Sequence, residues 1–430
     1  MMADTTRGTD AVSGGGQRRA GLRVLSLAPT SFFSDYGCHV RILEEARALR
    51  DIGVDVTILT YYKGGNVPEF RIIRTNPTPW HGSYEVGSSR HKYVFDVMLA
   101  IRLARVLARN RFDIIHAHLH EGALIGSLIS KPWRIPVCFD YQGSLTSEML
   151  DHGFLKPNTK ALGLWRWLER SIERLPSAIF TSTLNASEAL KSQGDHAIPI
   201  RPLPDGVNTD VFRPDVLSLD ERASRRMAYG IHNDDIVVVY LGLLARHQGI
   251  SCLLDAAALL KTQGRRVKWL VMGYPGVKQW RDTAEAGGVS EDVIFTDRIP
   301  YWNAPQMLAL GDIAIAPKLS LTEGSGKILN YMAMGLPTVA FETPAQVEYL
   351  GDLGMYAPVG NIEALAQRVA ELIDEPKQRK ALGAAARMRA IQQFGWDRAA
   401  SQLASTYYEL ANQDAGYPLM MKSGSGAPHY

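Results

Sequence analysis

One pattern constrains this chain more than any other: an alternation of apolar runs and helical stretches that proceeds, stops and begins again. LRVLSLAP (Leu22 to Pro29), VDVTILTYY, FDIIHAH, IPVCFDYQ and SAIFTST are short runs rich in Val, Leu and Ile. Stretches with helical spacing separate them, as where Val40, Leu43, Ala46 and Leu49 follow the first run. Around Pro204 to Asp215 the pattern gives way to turn formers (Pro204, Gly206, Pro214). Beyond Gly230 it restarts with DIVVVYLG, VKWLVMG, DVIFTD, DIAIAP and PTVAF. Runs that are apolar at every position, rather than at every second one, belong to strands buried on both faces, which means parallel sheets covered by helices. A single core stops growing well below 430 residues. The expected fold is therefore α/β, with Rossmann-like doubly wound domains spanning 22–208 and 231–395, a linker at 209–230, and a helix at 396–412. Residues 1–21 and the Gly/Ser-rich segment 413–430 read as disordered. Open parallel sheets bind ligands beyond the carboxyl ends of their strands, so function is expected in the loops that follow the runs, around a cleft between the two sheets.

Charge and cysteine usage narrow the function classes. Lys and Arg total 47 against 44 Asp and Glu, a formal charge of +3, which gives no expectation of a nucleic-acid partner. Cys38, Cys138 and Cys252 fall in no CxxC spacing and support neither a disulfide framework nor a cysteine-based zinc site. The N-terminal segment lacks the apolar core of a secretory signal, and no uncharged apolar stretch reaches the roughly 18 residues of a membrane span. The expected location is cytoplasmic.

The segment with most chemical content is TEGSGKILNYMAMGLPTVAF, from Thr322 to Phe341. A carboxylate, Glu323, precedes Gly324, Ser325 and Gly326, which feed Lys327 and a helix carrying Asn330 one turn on. Glycines admit a ligand close to backbone N–H groups, a helix start is positively polarised, and Lys327 adds a full charge, so the pattern suits a phosphate. A plain strand-to-helix turn would read the same way. HAHLHEG places His116, His118, His120 and Glu121 at a strand end. Structural, sugar-contacting and metal-ligating roles are all open, but no second His, Asp or Cys cluster stands out to complete a metal site, and no metal is expected. Asp140 and Gln142 in FDYQGSLTSEM suit acceptor contact or loop capping, and Gly37 in SDYGCHVR suits phosphate approach or a simple helix start. Arg102, Arg105 and Arg109 form one stripe, and Arg166 and Arg170 sit beside Trp165 and Trp167; such helices lie on anionic membranes or pack with their arginines reaching to solvent.

Taken in order, these segments resemble the family-4 retaining glycosyltransferases of the GT-B fold, from about Leu22 to about Leu410. Ala333, Gly335, Pro337 and Val339 match the closing run of the family's donor signature. PDGVNTDVFRP resembles its interdomain segment, YLGLL with Gly249 its phosphate strand, VIFTDRIPY its base-binding region, and FGWDRAASQL its C-terminal helix. The resemblance implies a hexosyltransferase-type enzyme with an N-terminal acceptor domain, a C-terminal donor domain and a last helix that crosses back. It implies a nucleotide-diphosphate-sugar substrate, no tightly bound cofactor, and a glycan, lipid or small-molecule acceptor, with room for peripheral membrane contact. The implied site comprises His118 and Glu323 at the sugar; Gly37, Gly242, Arg246, Gly324, Ser325, Gly326 and Lys327 at phosphate; Asn330 at ribose; Arg298 and Ile299 near the base; and Asp140, Gln142 and His120 toward the acceptor. Three positions depart from the family: Leu243 and Gln248 stand where phosphate-gripping Arg and Lys are usual, and Asn330 where a Glu is usual. They leave a catalytically degenerate sugar-nucleotide binder as one rival reading and a metal-dependent hydrolase built on the histidines as another.

Overall fold

The computed structural model describes residues 21–35, 37–77, 92–151, 154–194, 197–321 and 324–414. The first sheet contains β1 (Arg23–Ala28), β2 (Asp55–Thr60), β3 (Arg71–Arg74), β4 (Ile114–His118), β5 (Val137–Tyr141), β6 (Ala178–Thr181) and β7 (Ile200–Pro202). Its order is β3-β2-β1-β4-β5-β6-β7, and every pairing is parallel. The second contains β8 (Ile236–Leu241), β9 (Val267–Met272), β10 (Val293–Phe295), β11 (Ile313–Ala316), β12 (Thr338–Phe341) and β13 (Met355–Ala357), in the order β10-β9-β8-β11-β12-β13, also parallel. Each sheet reverses its winding once, between β1 and β4 in the first and between β8 and β11 in the second, and it is at such reversals that a crevice opens between neighbouring loops.

The continuous apolar runs have a direct packing cause. In β8, Val237 and Val239 join one core layer with Leu270 and Met272, while Val238 and Tyr240 join the opposite layer with Trp269 and Val271. Both faces of the pleat are therefore dry, and each such side chain contributes about 1.5–3 kcal/mol on burial. The short edge strands β3, β7 and β13 carry no such run, because one edge and part of a face meet solvent.

Residues 209–230, expected as a linker, contain regular structure. They hold the helix Leu219–Ala228, opened by a capping box between Ser218 and Glu221. Arg222 and Arg226 bind the carbonyls of Ala309, Leu310 and Gly311 and the carboxylate of Asp312, which fastens this helix to the second half. It escaped the apolar pattern because charged groups rather than an apolar stripe hold it.

The last helix, Trp396–Asp414, leaves the second half and returns to the first. Trp396, Ala399, Ala400, Leu403 and Tyr407, spaced to fall on one face, pack with Ile42 and Leu43 of the helix Gly37–Asp51. Where the chain crosses, Val207 pairs with Gly395, and its N–H donates to Phe394 O at 2.7 Å, so the outgoing and returning segments run side by side. Gly206 leaves room for the Trp396 indole, since a Cβ there would sit 2.6 Å from the ring. Residues 1–20 and 415–430, expected to be disordered, lie outside the described residues.

Candidate functional site

The carboxyl ends of the two sheets face each other across a cleft of 750 Å³. On its second-half wall, β8 ends at Leu241 and the chain turns at Gly242, whose φ is +152°. A Cβ on Gly242 would lie 2.6 Å from Lys327 Nζ, so glycine is what lets this ammonium group come up against the strand end. Lys327 stands in the first turn of the helix Gly326–Ala333. Its Nζ donates to Gln248 Oε1 at 3.0 Å and to the Tyr240 hydroxyl at 3.1 Å, and lies 4.4 Å from the centre of the Tyr240 ring. Ser325, 3% exposed, precedes that helix with a hydroxyl that has no hydrogen-bond partner among the described residues. Lys318, behind the same loop, donates to Gly324 O at 2.7 Å. A cation, an unpartnered hydroxyl and a helix N-terminus thus converge on one patch of cleft wall, an arrangement whose chemistry suits an anion with several oxygens.

Gly249 explains how the neighbouring loop fits. Its φ is +78°, and a Cβ would fall 1.7 Å from Pro317 O, so no other residue lets the 3-10 turn Arg246–Gln248 lead into the helix Ile250–Thr262 at this place.

The first-half wall is held from behind by a buried polar network. Arg41, 3% exposed, reaches Asp140 Oδ1 and Asp205 Oδ1 at 2.8 Å each, Glu45 Oε1 at 3.0 Å and Leu203 O at 3.1 Å. Asp140 also accepts from Gln142 Nε2 at 2.7 Å and faces His118 Nδ1 at 2.9 Å. Burial pushes the Asp140 carboxyl up, but Arg41 and His118 outweigh it and hold the group well below the usual carboxylate range. Asp205 reaches into the cleft from the crossover segment, with Oδ2 3.3 Å from the Tyr349 hydroxyl of the second half.

The structure separates the expected site residues by where they stand relative to the cleft. Gly37, His120, Gln142, Gly242, Gly324, Ser325, Gly326, Lys327, Asn330 and Ile299 line the cleft together. His118 and Asp140 do not: they are 1% and 0% exposed, and His118 Nε2 is engaged by Ser26 Oγ at 3.0 Å, so both stand one layer behind the wall. Arg246 is exposed outside the cleft, and the side chains of that turn that do line it are His247 and Gln248. Arg298 is committed to Asp35 of the first half at 2.6 Å, a tie across the rim. Glu323 lies outside the described residues. Arg41, Asp205 and Tyr240 were not singled out from the sequence: Arg41 reads as one more charge on a helix rich in them, and Tyr240 as part of an apolar run.

Buried histidines give this half a pH signature. Burial, with a smaller opposing hydrogen bond to Ser34 O, lowers His39 to about 3, and burial lowers His118 as well. A group whose folded value lies below its unfolded value near 6.5 takes up a proton on unfolding, so its stabilisation is whole above pH 6.5 and falls away as the pH drops toward 3. Wild-type protein is expected to lose melting temperature below pH 6.5. His39→Gln should show a shallower decline, the difference not exceeding about 1.4 kcal/mol per pH unit. Melting curves of the two proteins at stepped pH values check this.

Comparison with known proteins agrees with this architecture. A glycosyl transferase 4-like domain matches residues 36–206, and the glycosyl transferases group 1 family matches residues 221–389. The chain is 24% identical over 399 residues to a phosphatidyl-myo-inositol mannosyltransferase of Mycobacterium leprae, covering 91% of this chain and 97% of that protein. It is 23% identical over 402 residues to a D-inositol 3-phosphate glycosyltransferase of Pseudarthrobacter chlorophenolicus, covering 89% and 92%. Sucrose-phosphate synthase of Thermosynechococcus elongatus superposes with a TM-score of 0.77 at 17% identity over 91% of this chain and 100% of that one. Anabaena HepE, solved with UDP, superposes at 0.71 and 16% identity over 90% and 100%. The two solved structures share the GT-B fold.

Proposed function

Because the chain belongs to the group 1 glycosyltransferases with a GT-B fold, we propose that it moves a sugar from a nucleoside-diphosphate-sugar donor, with retention at the anomeric carbon, to a lipid or glycan acceptor. The observation that carries this reading is the placement of Lys327. Its ammonium, pressed against Gly242 and bracketed by Tyr240 and Gln248, occupies the phosphate side of the cleft beside the Ser325 hydroxyl. The departures at Leu243 and Gln248 lose their force on this account: the cation comes from the opposite side of the loop and lies against the amide of Gln248. Lys327, Ser325 and the first N–H groups of the helix Gly326–Ala333 stabilise the departing diphosphate, Asn330 faces the ribose, and Gln142 and His120 face the sugar and acceptor side. The leaving phosphate takes the acceptor hydroxyl proton on the same face, so that no protein nucleophile is required. A thermal-shift series with UDP-, GDP-, ADP- and dTDP-sugars tests the donor class. One nucleotide should raise the melting temperature, and the rise should vanish in Lys327→Ala; the absence of a rise with every donor at saturating concentration counts against the reading.

The acceptor is proposed to be presented at an anionic membrane surface. Among the described residues no helix is long and apolar enough to cross a membrane. Instead, helices Lys92–Leu107 and Lys160–Glu173 flank the helix Leu119–Ile129. The first exposes Tyr93, Val97 and Ile101 in one stripe followed by Arg105, and the second exposes Leu164 and Trp167 between Lys160 and Arg170. Apolar residues bordered by cations suit an interface rich in anionic headgroups. The protein should co-sediment with phosphatidylglycerol vesicles but not with phosphatidylcholine vesicles, and Trp167→Ser with Ile101→Ser should reduce the bound fraction severalfold. Equal binding by wild type and the double variant would rule this surface out.

A further inference from the structure

The HAHLHEG segment contains one histidine whose Nε2 the proposed reaction leaves unused. His120, 4% exposed, opens the helix Leu119–Ile129, and its Nε2 faces Glu169 and Glu173 on the last turn of the helix Lys160–Glu173. The glutamates are one helical turn apart and therefore share a face. Their side chains are buried, at 7% and 2% exposed. His120 Nε2, Glu169 Oε1 and Glu173 Oε2 have no hydrogen-bond partner, and no described lysine or arginine pairs with either carboxylate. Glu169 Oε2 accepts from the hydroxyl and N–H of Thr146, but the remaining oxygen of Glu169, Glu173 Oε2 and the imidazole Nε2 are left facing one another without a partner, and an uncompensated buried charge costs several kcal/mol.

The spacing identifies what would balance it. Nε2 lies 3.6 Å from Glu169 Oε1 and 3.8 Å from Glu173 Oε1, too long for hydrogen bonds. An imidazolium bridging two carboxylates draws them to about 2.7–2.9 Å. Nitrogen and oxygen donors on one tetrahedral ion, with bonds near 2.0–2.2 Å, stand about 3.4 Å apart. The three groups can supply ligand atoms that all lie within 4.8 Å of one another. We propose that His120, Glu169 and Glu173 hold a divalent transition-metal ion, of the zinc or manganese class that a mixed imidazole and carboxylate set favours, as a tie between the two helices. A separate cavity of 540 Å³, lined by both glutamates, by Ser144 and Thr146 and by Arg166 and Arg170, which pair with neither carboxylate, opens onto the cluster. It gives the ion a route in and space for the waters that complete its coordination. The ion sits outside the phosphate patch and takes no part in sugar transfer.

The test uses the full-length protein freed of metal by chelation. Adding Zn²⁺ or Mn²⁺ should raise its melting temperature by about 3 °C or more. One equivalent of Co²⁺ should develop visible ligand-field absorption. Both responses should be lost in Glu173→Gln, a near-isosteric change. In the metal-free state that variant should be at least as stable as wild type, because it removes one of two facing carboxylates. Equal metal responses in wild type and Glu173→Gln would overturn the proposal. So would a wild type indifferent to all three ions alongside a destabilised Glu173→Gln, which would identify the cluster as a bridging imidazolium.

Discussion

Lys327→Ala is expected to lower kcat/KM for the nucleotide-sugar donor by about a hundred- to a thousandfold, the range seen when one preorganised donor to a developing negative charge is removed. The size follows from the setting. The ammonium is held by Tyr240 and Gln248 at 3.1 and 3.0 Å and so needs little reorganisation to meet a diphosphate. The tyrosine beneath it is fully buried, which keeps the local dielectric low. Charge is the active property, so Lys327→Arg should recover part of the loss and Lys327→Met none. On the proposed reading the cation meets the outer phosphate, so nucleoside diphosphate should lose more affinity than nucleoside monophosphate. Steady-state kinetics with the donor found by thermal shift, together with competition by the two nucleotides, read this out. Equal losses for the two nucleotides would move Lys327 from the diphosphate to a general structural role.

The largest effect on stability is expected from Arg41→Met. Arg41 is the shared cation of Glu45, Asp140 and Asp205, three carboxylates contributed by a helix, a strand end and the crossover segment. Removing it leaves Glu45 and Asp140 buried without a cation of comparable reach, and a broken buried pair costs about 3–5 kcal/mol. A methionine of similar length keeps most of the packing, so the loss reports on charge. Adding Asp140→Asn should return part of it, since the second change removes one of the stranded carboxylates. Thermal denaturation of the single and double variants decides the matter: strictly additive losses would show that Arg41 and Asp140 do not act as a unit.

These two residues also mark where sequence is informative. Ten of the thirteen strands could be read because burial leaves an uninterrupted apolar run, whereas β3, β7 and β13 carry none; the small-residue turn at the cleft wall could be read because Gly324, Ser325, Gly326 and Lys327 are neighbours along the chain. The network around Arg41 could not, since its members are 99 and 164 residues apart and nothing local distinguishes the arginine from Arg47 or Arg50 on the same helix. Position along the strand does not by itself bring His118 to the cleft surface. A strand-end residue is expected at the ligand, and in this structure Ser26 on β1 and Asp140 on β5 engage its two nitrogens from either side. The helix Leu219–Ala228 was hidden for another reason: its anchoring arginines look like solvent-facing charges until the carbonyls they meet are known.

The returning helix Trp396–Asp414 carries a consequence for how the protein is made. The apolar face of the helix Gly37–Asp51 is covered by residues as late as Leu403 and Tyr407, and Tyr407 also meets His116 of β4 at 2.7 Å. During synthesis from the N-terminus, the first half, complete at Val207, emerges from the ribosome about 190 residues before its own lid, which begins at Trp396. It must wait with that face bare while the second half is built and folds. The nascent chain is therefore most exposed to chaperones, and to misassociation, in the interval when its first sheet is already complete. A stop codon before Trp396 would make that interval permanent.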